Sequence, residues 1–469
     1  MSKATIKQLI HGGIAVVIAI VLSLIAPPEG LTVESMRFAG VFVAVIYLLF
    51  VNVFPDYVVG MLGLCIVSAI GAASFDSTFS ALASSSFLLI AAAIGLGMAV
   101  IKTGLLNRVA LWILQCFPNT YFGRILSLMV VGLVIGPFIP AAASKAALSG
   151  PLAASVSDTL GFPRKGKGAA GLFAASYMSM CVLGLIYLSG TAYALLTVGM
   201  MSPEAAAEVT WMKWLLYSLP WGIVVLICSC AFILFAYKPE KIESDSNKNF
   251  VKEKLHGLGK MSKDEKVSGI ILVICILLWM TASYHGVSST VVAMTGYVLM
   301  FLFGVFKKGE LRTKMPWETV LFIGSVLCFA ALIGSTGWSD WIAQALGGKL
   351  EPLISNTYTY IIIMSILVML MRFVVISQTA TFTLFFVVMA PIASTYGISE
   401  FVTGFVVSAC CLVWNSSYQN SSWLTAYAAA GGEEFTTYNS QLKMSLAYSV
   451  FTIVASLISV PFWQMMGLC

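Results

Sequence analysis

The chain has 469 residues, of which 59% are hydrophobic and only 10% charged, with a mean hydropathy of +0.95 and a formal net charge of +6. So much apolar surface with so few charges excludes a soluble globular domain and a disordered chain, and it places the protein in a lipid bilayer. The positive excess comes mainly from loops between apolar stretches and says little about any ligand.

A spanning helix takes about 20 mostly apolar residues. Eleven such helices are expected, beginning near residues 11, 37, 57, 85, 169, 213, 267, 289, 317, 399 and 440. The first follows Lys3 and Lys7 and resembles a signal peptide in having a basic start and an apolar core. Pro27, Pro28 and Glu29 make a poor cleavage site, so it is kept as helix one. Two further segments, about 122–160 and 357–395, are apolar on both arms and polar in the middle. They read as re-entrant hairpins, because non-helical backbone at membrane depth survives only inside protein or beside a wet cavity.

The two hairpins belong to two copies of one pattern. Phe87 to Ala110 contains Thr103-Gly104 and precedes a tip at Pro140-Ala141-Ala142-Ala143-Ser144-Lys145. Val320 to Ala343 contains Thr336-Gly337 and precedes a tip at Ile376-Ser377-Gln378-Thr379-Ala380-Thr381. The Thr-Gly pairs are 233 residues apart and the tips, taking Ala141 against Ser377, 236. Duplicated halves with interrupted segments at matching positions point to a secondary transporter whose substrate sits where the interruptions meet.

The chain therefore divides into an extra N-terminal helix and loop (1–36), a first repeat (37–237), a linker (238–266) and a second repeat (267–469). With five helices and one hairpin in each half, the second repeat is inverted relative to the first. The first hairpin then opens from the cytoplasm and the second from outside, with their tips facing each other near the midplane.

Orientation follows from basic residues. A cytoplasmic N-terminus puts seventeen of them inside, at Lys3, Lys7, Arg164, Lys165, Lys167, eight lysines from Lys238 to Lys266, Lys307, Lys308, Arg312 and Lys314. Outside loops then hold only Arg37 and Lys349, with Lys213 near the outer end of helix six, which sets the N-terminus in and the C-terminus out. Acidic residues are interspersed in the linker, and the positive-inside bias accounts for its lysines without a nucleic-acid or lipid partner. The ten cysteines lie mostly in apolar segments without metal-site spacing, and the three histidines, His11, His256 and His285, lie near helix ends or loops. No P-loop appears, so ATP-driven transport needs a separate subunit.

Each hairpin precedes a helix interrupted by polar residues, around Ser189-Gly190-Thr191-Ala192-Tyr193 and around Ser416 to Trp423. An unwound segment leaves a half-helix N-terminus whose free N–H groups attract a carboxylate. Asn415 to Ser422, eight consecutive polar or aromatic residues in mid-span, need partners or water. Tyr193 and Trp423 hold similar places in the two breaks and either line a cavity or simply pack.

These residues carry a family resemblance. The chain resembles the divalent anion/sodium symporter family of dicarboxylate and tricarboxylate transporters, in which each hairpin tip carries Ser-Asn-Thr. The second tip here reads Ser377-Gln378-Thr379. The first is closest in frame to the plastid-type 2-oxoglutarate/malate exchanger branch, with Pro140 followed by Ala141-Ala142-Ala143 in place of Ser-Asn-Thr, then Ser144 and Lys145. Asn415 to Gly432 resembles the broken helix ten of that branch. The resemblance implies an all-α polytopic homodimer with eleven transmembrane helices and two re-entrant hairpins. In it a mobile unit of hairpins and broken helices moves the site as an elevator.

In sodium-coupled members the resemblance implies a sodium ion shared by the first tip and the break in helix five. Three alanines offer it no side-chain oxygen. Lys145 places a fixed ammonium there instead, or else runs along the hairpin to cytoplasmic water; a charge at membrane depth costs roughly 3 kcal/mol and marks a functional candidate. Arg372, five residues before Ser377, either faces the cavity or pairs with a hairpin C-terminal carbonyl or an interfacial acid. Two cations, with no Asp or Glu expected at the same depth, favour an anionic ligand over a proton relay or a cation.

The expected substrate residues are Ser144, Lys145, Thr191, Ser377, Gln378, Thr379, Asn420, Ser421 and Ser422. Cavity or gating positions are Ala142, Ala143, Gly190, Tyr193, Arg372 and Trp423. The expected function is sodium-independent exchange of a small organic anion, a di- or tricarboxylate, in a bacterial inner membrane. No cofactor or enzymatic centre is expected. The alternatives are sodium-coupled symport with an ion near Ser377 and Thr379, and, more remotely, an anion channel.

Overall fold

A computed structural model describes residues 3–239 and 250–469, and among these every regular element is helical. The principal helices of the first half are α1 (Lys3–Leu24), α2 (Val33–Val51), α3 (Asp56–Ala69), α4 (Ser85–Thr103), α5 (Leu105–Gln115), α6 (Tyr121–Ile135), α7 (Ala142–Thr159), α8 (Lys167–Tyr177), α9 (Ala192–Met200) and α10 (Trp211–Ala236). After the linker helix α11 (Phe250–Gly257) come α12 (Lys263–Met280), α13 (Ser289–Leu302), α14 (Trp317–Ser335), α15 (Trp338–Ile354), α16 (Thr357–Met371), α17 (Gln378–Thr395), α18 (Glu400–Cys411), α19 (Ser421–Ala429) and α20 (Tyr438–Met465). Residues 240–249 of the expected linker lie outside the described residues. Helix α12 starts earlier than its apolar run because Ser262 and Glu265 form a reciprocal capping box.

Both expected hairpins are present, as α6–α7 and α16–α17. Their arms straddle the helix that follows: α6 and α7 both pack on α8, and α16 and α17 both pack on α18. Both of those helices break. After α8 the chain passes through a π-turn at Met178–Val182 and 3-10 turns before restarting as α9, and after α18 residues 412–420 are irregular before α19.

The long apolar stretches 87–110 and 320–343 are not single spans. Each ends at its Thr-Gly pair, where Gly104 (φ 78°) and Gly337 (φ 79°) turn left-handed, a conformation nearly free for glycine and costly for other residues. The chain leaves the turns as α5 and α15, two arms that the sequence reading folded into the spans. Helix α15 meets α16 at a 107° bend.

Nine described helical segments are long and apolar enough to cross a bilayer. Seven coincide with expected spans, and two are hairpin arms, Tyr121–Phe138 and Gln378–Thr395. The other four expected positions hold α3, α13 and α18, which are shorter apolar helices, and α12, whose first four residues are all charged.

Packing sorts the helices into two layers. Helices α1 to α4 and α12 to α14 form one, and the hairpins, the broken helices, α10 and α20 form the other. In the second layer α10 and α20 lie along each other, with the Trp221 indole donating to Thr452 Oγ1 (3.1 Å) and that of Trp463 to the Tyr217 carbonyl (2.8 Å). Helix α7 runs beside α19, and Gly150 allows this, since a Cβ there would lie 2.1 Å from the Ala426 carbonyl oxygen. Gly150→Val is expected to push the two apart at an overpacking cost of about 1–3 kcal/mol. A lowered thermal unfolding midpoint in detergent, relative to Ala154→Val on the same helix, is the check.

Candidate substrate site at the hairpin tips

Four helix N-termini, those of α7, α9, α17 and α19, belong to the tips and breaks, and three are capped by their own side chains. Thr191 accepts from the Ala194 amide (3.2 Å), Ser377 from Ala380 (3.3 Å) and Asn420 from Trp423 (3.0 Å). The residue before α7, Ala141, sits at the cap position and offers no side-chain cap. The amides of Ser144 and Lys145 turn back to the Ala141 carbonyl, whereas Ala142 and Ala143, the first two residues of α7, have no intrahelical acceptor. The alanines that replace the expected hydroxyls thus leave an open pair of backbone donors at the positive end of a helix dipole.

Three residues further on, the Lys145 side chain is fully buried. Its ammonium donates to the Gly190 carbonyl at 2.5 Å, the last carbonyl before the Thr191 cap of α9. The snorkelling alternative is therefore not what the fold adopts. At the second tip Arg372, also fully buried, donates to the carbonyls of Val375 (2.6 Å) and Ile376 (3.0 Å), to Thr381 Oγ1 (3.3 Å) and to the Gln419 carbonyl. Gln419 immediately precedes the Asn420 cap of α19. Each tip therefore sends one cation to the last carbonyl of a broken segment. Neither cation takes part in an ion pair among the described residues. Arg372 follows the hairpin-carbonyl alternative rather than facing a cavity.

The remaining expected residues divide. Gln378 donates to the Cys411 carbonyl (2.8 Å) and Asn420 to that of Leu412 (2.8 Å), so both brace the second break. The Tyr193 hydroxyl reaches the Thr379 side chain, and its ring packs on Phe382. Ser144 is half-buried, with its hydroxyl 3.9 Å from the Met98 sulfur. Ser421 and Ala143 are exposed, Ala142 and Ser377 half-buried, Ser422 and Gly190 buried. Trp423 is fully buried and stacks on Tyr427 with centroids 4.8 Å apart.

One acid overturns the expectation that none lies at tip depth. Ser377 Oγ donates to Asp56 Oδ2 (3.2 Å), at the first residue of α3. Helix α3, whose 14 residues rise only about 21 Å, is shorter than a hydrocarbon core of about 30 Å, and the contact with Ser377 places its first residue beside the second tip. A crevice of about 1000 Å³ also opens between the two layers, at the ends of α9 and α17 remote from the tips, lined by residues such as Ser84, Gly199, Leu327, Phe386 and Pro391. No tip residue lines it.

A family model described as "Sodium:sulfate symporter transmembrane region" matches residues 6–469. The chain belongs to that family. The resemblance to divalent anion/sodium symporters is thereby borne out, and this symporter-family chain is a membrane transporter, not an enzyme. Among its relatives is "Inner membrane protein YbhI" of Escherichia coli K12, 25% identical over 485 residues and 99% of each chain. The spinach "Dicarboxylate transporter 1, chloroplastic" is 24% identical over 347 residues, 73% of this chain and 60% of that one. An "L-tartrate/succinate antiporter" of Escherichia coli strain 536 is 24% identical over 391 residues, 77% and 78% of the two chains. The solved YdaH transporter of Alcanivorax borkumensis has the same fold, with a TM-score of 0.58 at 15% identity over 92% of this chain and 98% of that one.

The family's name implies a sodium ion, and the first tip, with three alanines and a carbonyl taken by Lys145, does not fit one, whereas at the second tip the Thr379 hydroxyl and the Asp56 carboxylate remain as oxygens. The Gly190 carbonyl is held by Lys145, and those of Val375, Ile376 and Gln419 by Arg372. Ser377 spends its proton on Asp56 and a lone pair on the Ala380 amide.

Arg372→Ala leaves three carbonyls and the Thr381 hydroxyl without their donor, at about 1–3 kcal/mol for each buried group left unsatisfied. The thermal midpoint of the purified protein is expected to fall clearly. Arg372→Lys, with a point charge in place of the planar fork, should recover only part of it, and an unchanged midpoint in Arg372→Ala would mean that the tip is held by something else.

Proposed function

We propose that this protein is a sodium-independent exchanger of small dicarboxylates. The observation that carries the reading is the Lys145 ammonium on the Gly190 carbonyl, a side-chain cation at the place where the resemblance implies a sodium ion. The relatives' printed names, a dicarboxylate transporter and a tartrate/succinate antiporter, support the substrate class.

One carboxylate of the substrate accepts from the open amides of Ala142 and Ala143 beside the N-terminus of α19, and the exposed Ser421 hydroxyl helps to orient it. Thr191, Ser377, Thr379, Gln378, Asn420 and Ser422 act by holding the breaks in shape. Charge selects the dianion: Lys145 and Arg372 bring two positive charges and no paired carboxylate, and a dicarboxylate cancels both. In an elevator cycle the second layer carries hairpins and breaks across the bilayer against the first, in a homodimer with the N-terminus cytoplasmic and the C-terminus outside. Moving two uncompensated cations with an empty site is disfavoured, since each costs roughly 3 kcal/mol at the bilayer centre on insertion scales. Loading with a dianion removes that barrier, which is the condition for exchange. The name of YbhI supports an inner-membrane location.

A second reading, sodium symport with one ion at Ser377 and Thr379, has the Asp56 carboxylate beside Ser377 in its favour. Uptake of labelled succinate and malate into proteoliposomes separates the two. The exchanger requires internal unlabelled substrate, ignores replacement of sodium by potassium, and loses about ten- to a hundredfold of its exchange rate in Lys145→Ala, the equivalent of one hydrogen bond to a charged group of about 1.5–3 kcal/mol. Sodium-dependent loading of empty liposomes contradicts it.

A further inference from the structure

Asp56 is the acid at the tips, and it sits on the layer that does not carry them. Helix α3 packs on α2 and α14. Gly60 and Gly63 bring its backbone so close to Ser325 and Phe329 of α14 that added Cβ atoms would collide with them. Across the boundary between layers, its carboxylate accepts the Ser377 hydroxyl at 3.2 Å. Asp56 forms no ion pair among the described residues.

We infer that Asp56 is the stationary counter-charge and latch of the empty carrier, a positioning residue that enforces exchange. The inference rests on the exchange reading above. With the site empty, Asp56 supplies negative charge to the tip cluster and holds the second hairpin to the fixed layer through Ser377. An anion arriving at the tips repels the carboxylate and takes over its role toward the cations, which releases the hairpin. When the second layer then moves, Asp56 stays behind with α3. An empty carrier must therefore break the hydrogen bond and abandon the counter-charge at once, whereas a loaded carrier brings its own. Coupling follows from which layer each charge is attached to.

The test uses labelled succinate with the full-length protein in proteoliposomes. In wild type, uptake with internal succinate exceeds uptake into empty vesicles. In Asp56→Asn, which keeps the side-chain shape but loses the charge, that ratio is expected to fall at least about fivefold, the lower range of coupling between linked events, through faster loading of empty vesicles. Ser377→Ala, which breaks the same contact from the other side, is expected to move the ratio the same way. Glu34→Gln, on α2 of the same layer, should leave it unchanged.

A second arm does not depend on transport and keeps both latch groups. Hydrogen–deuterium exchange of the purified wild type, read by mass spectrometry over peptides covering residues 372–381, is expected to rise when succinate is added, and in Asp56→Asn to be high already and indifferent to succinate. An unchanged uptake ratio in a well-folded Asp56→Asn, or deuterium uptake over 372–381 equal in wild type and Asp56→Asn, overturns the inference. If wild type itself loads empty vesicles as fast as filled ones, the antiport reading fails. The deuterium arm then decides alone, with release by succinate keeping the latch and no release removing it.

Discussion

A helix interrupted at membrane depth exposes carbonyls that no bulk water can satisfy, and in this protein two buried cations answer them. Lys145 and Arg372 come from different hairpins and from different arms of those hairpins, yet each ends on the residue that precedes a helix cap, Gly190 before Thr191 and Gln419 before Asn420. The same bond that satisfies the break fixes the hairpin to it. Tip, break and cation are one unit.

This arrangement explains why the first tip tolerates three alanines. A tip that coordinates an ion needs side-chain oxygens; one that meets a fixed ammonium does not. What the alanines leave behind is backbone, two amides at the start of an uncapped helix, with α19 held alongside by the close approach at Gly150. Hydrogen-bond donors of that kind recognise a carboxylate by charge and direction while contributing little to discrimination among similar acids.

Much of this was legible in the sequence. Hairpins announce themselves as apolar arms around a polar centre, and breaks as polar clusters within an apolar run, because a bilayer tolerates irregular backbone only where something satisfies it. The arms α5 and α15 escaped because their amphipathic sequence continues the apolar composition past Thr103 and Thr336; the boundary lies in a left-handed glycine, which a hydropathy window does not register. Asp56 escaped because an acid at the start of a helix reads as a loop residue, and its contact with Ser377 joins positions 321 apart in sequence. The direction of Lys145 was not legible at all, since it depends on a carbonyl 45 residues away in sequence.

The central claim is that fixed side-chain cations stand where a symporter binds sodium. The most direct measurement is the affinity of the purified protein for succinate, taken by calorimetry as sodium replaces choline at constant ionic strength, so that screening stays fixed. The fixed cations predict one affinity at every sodium concentration, because the positive charge is already in place. An affinity that rises with sodium and saturates would mean that an ion completes the site, and would contradict the account.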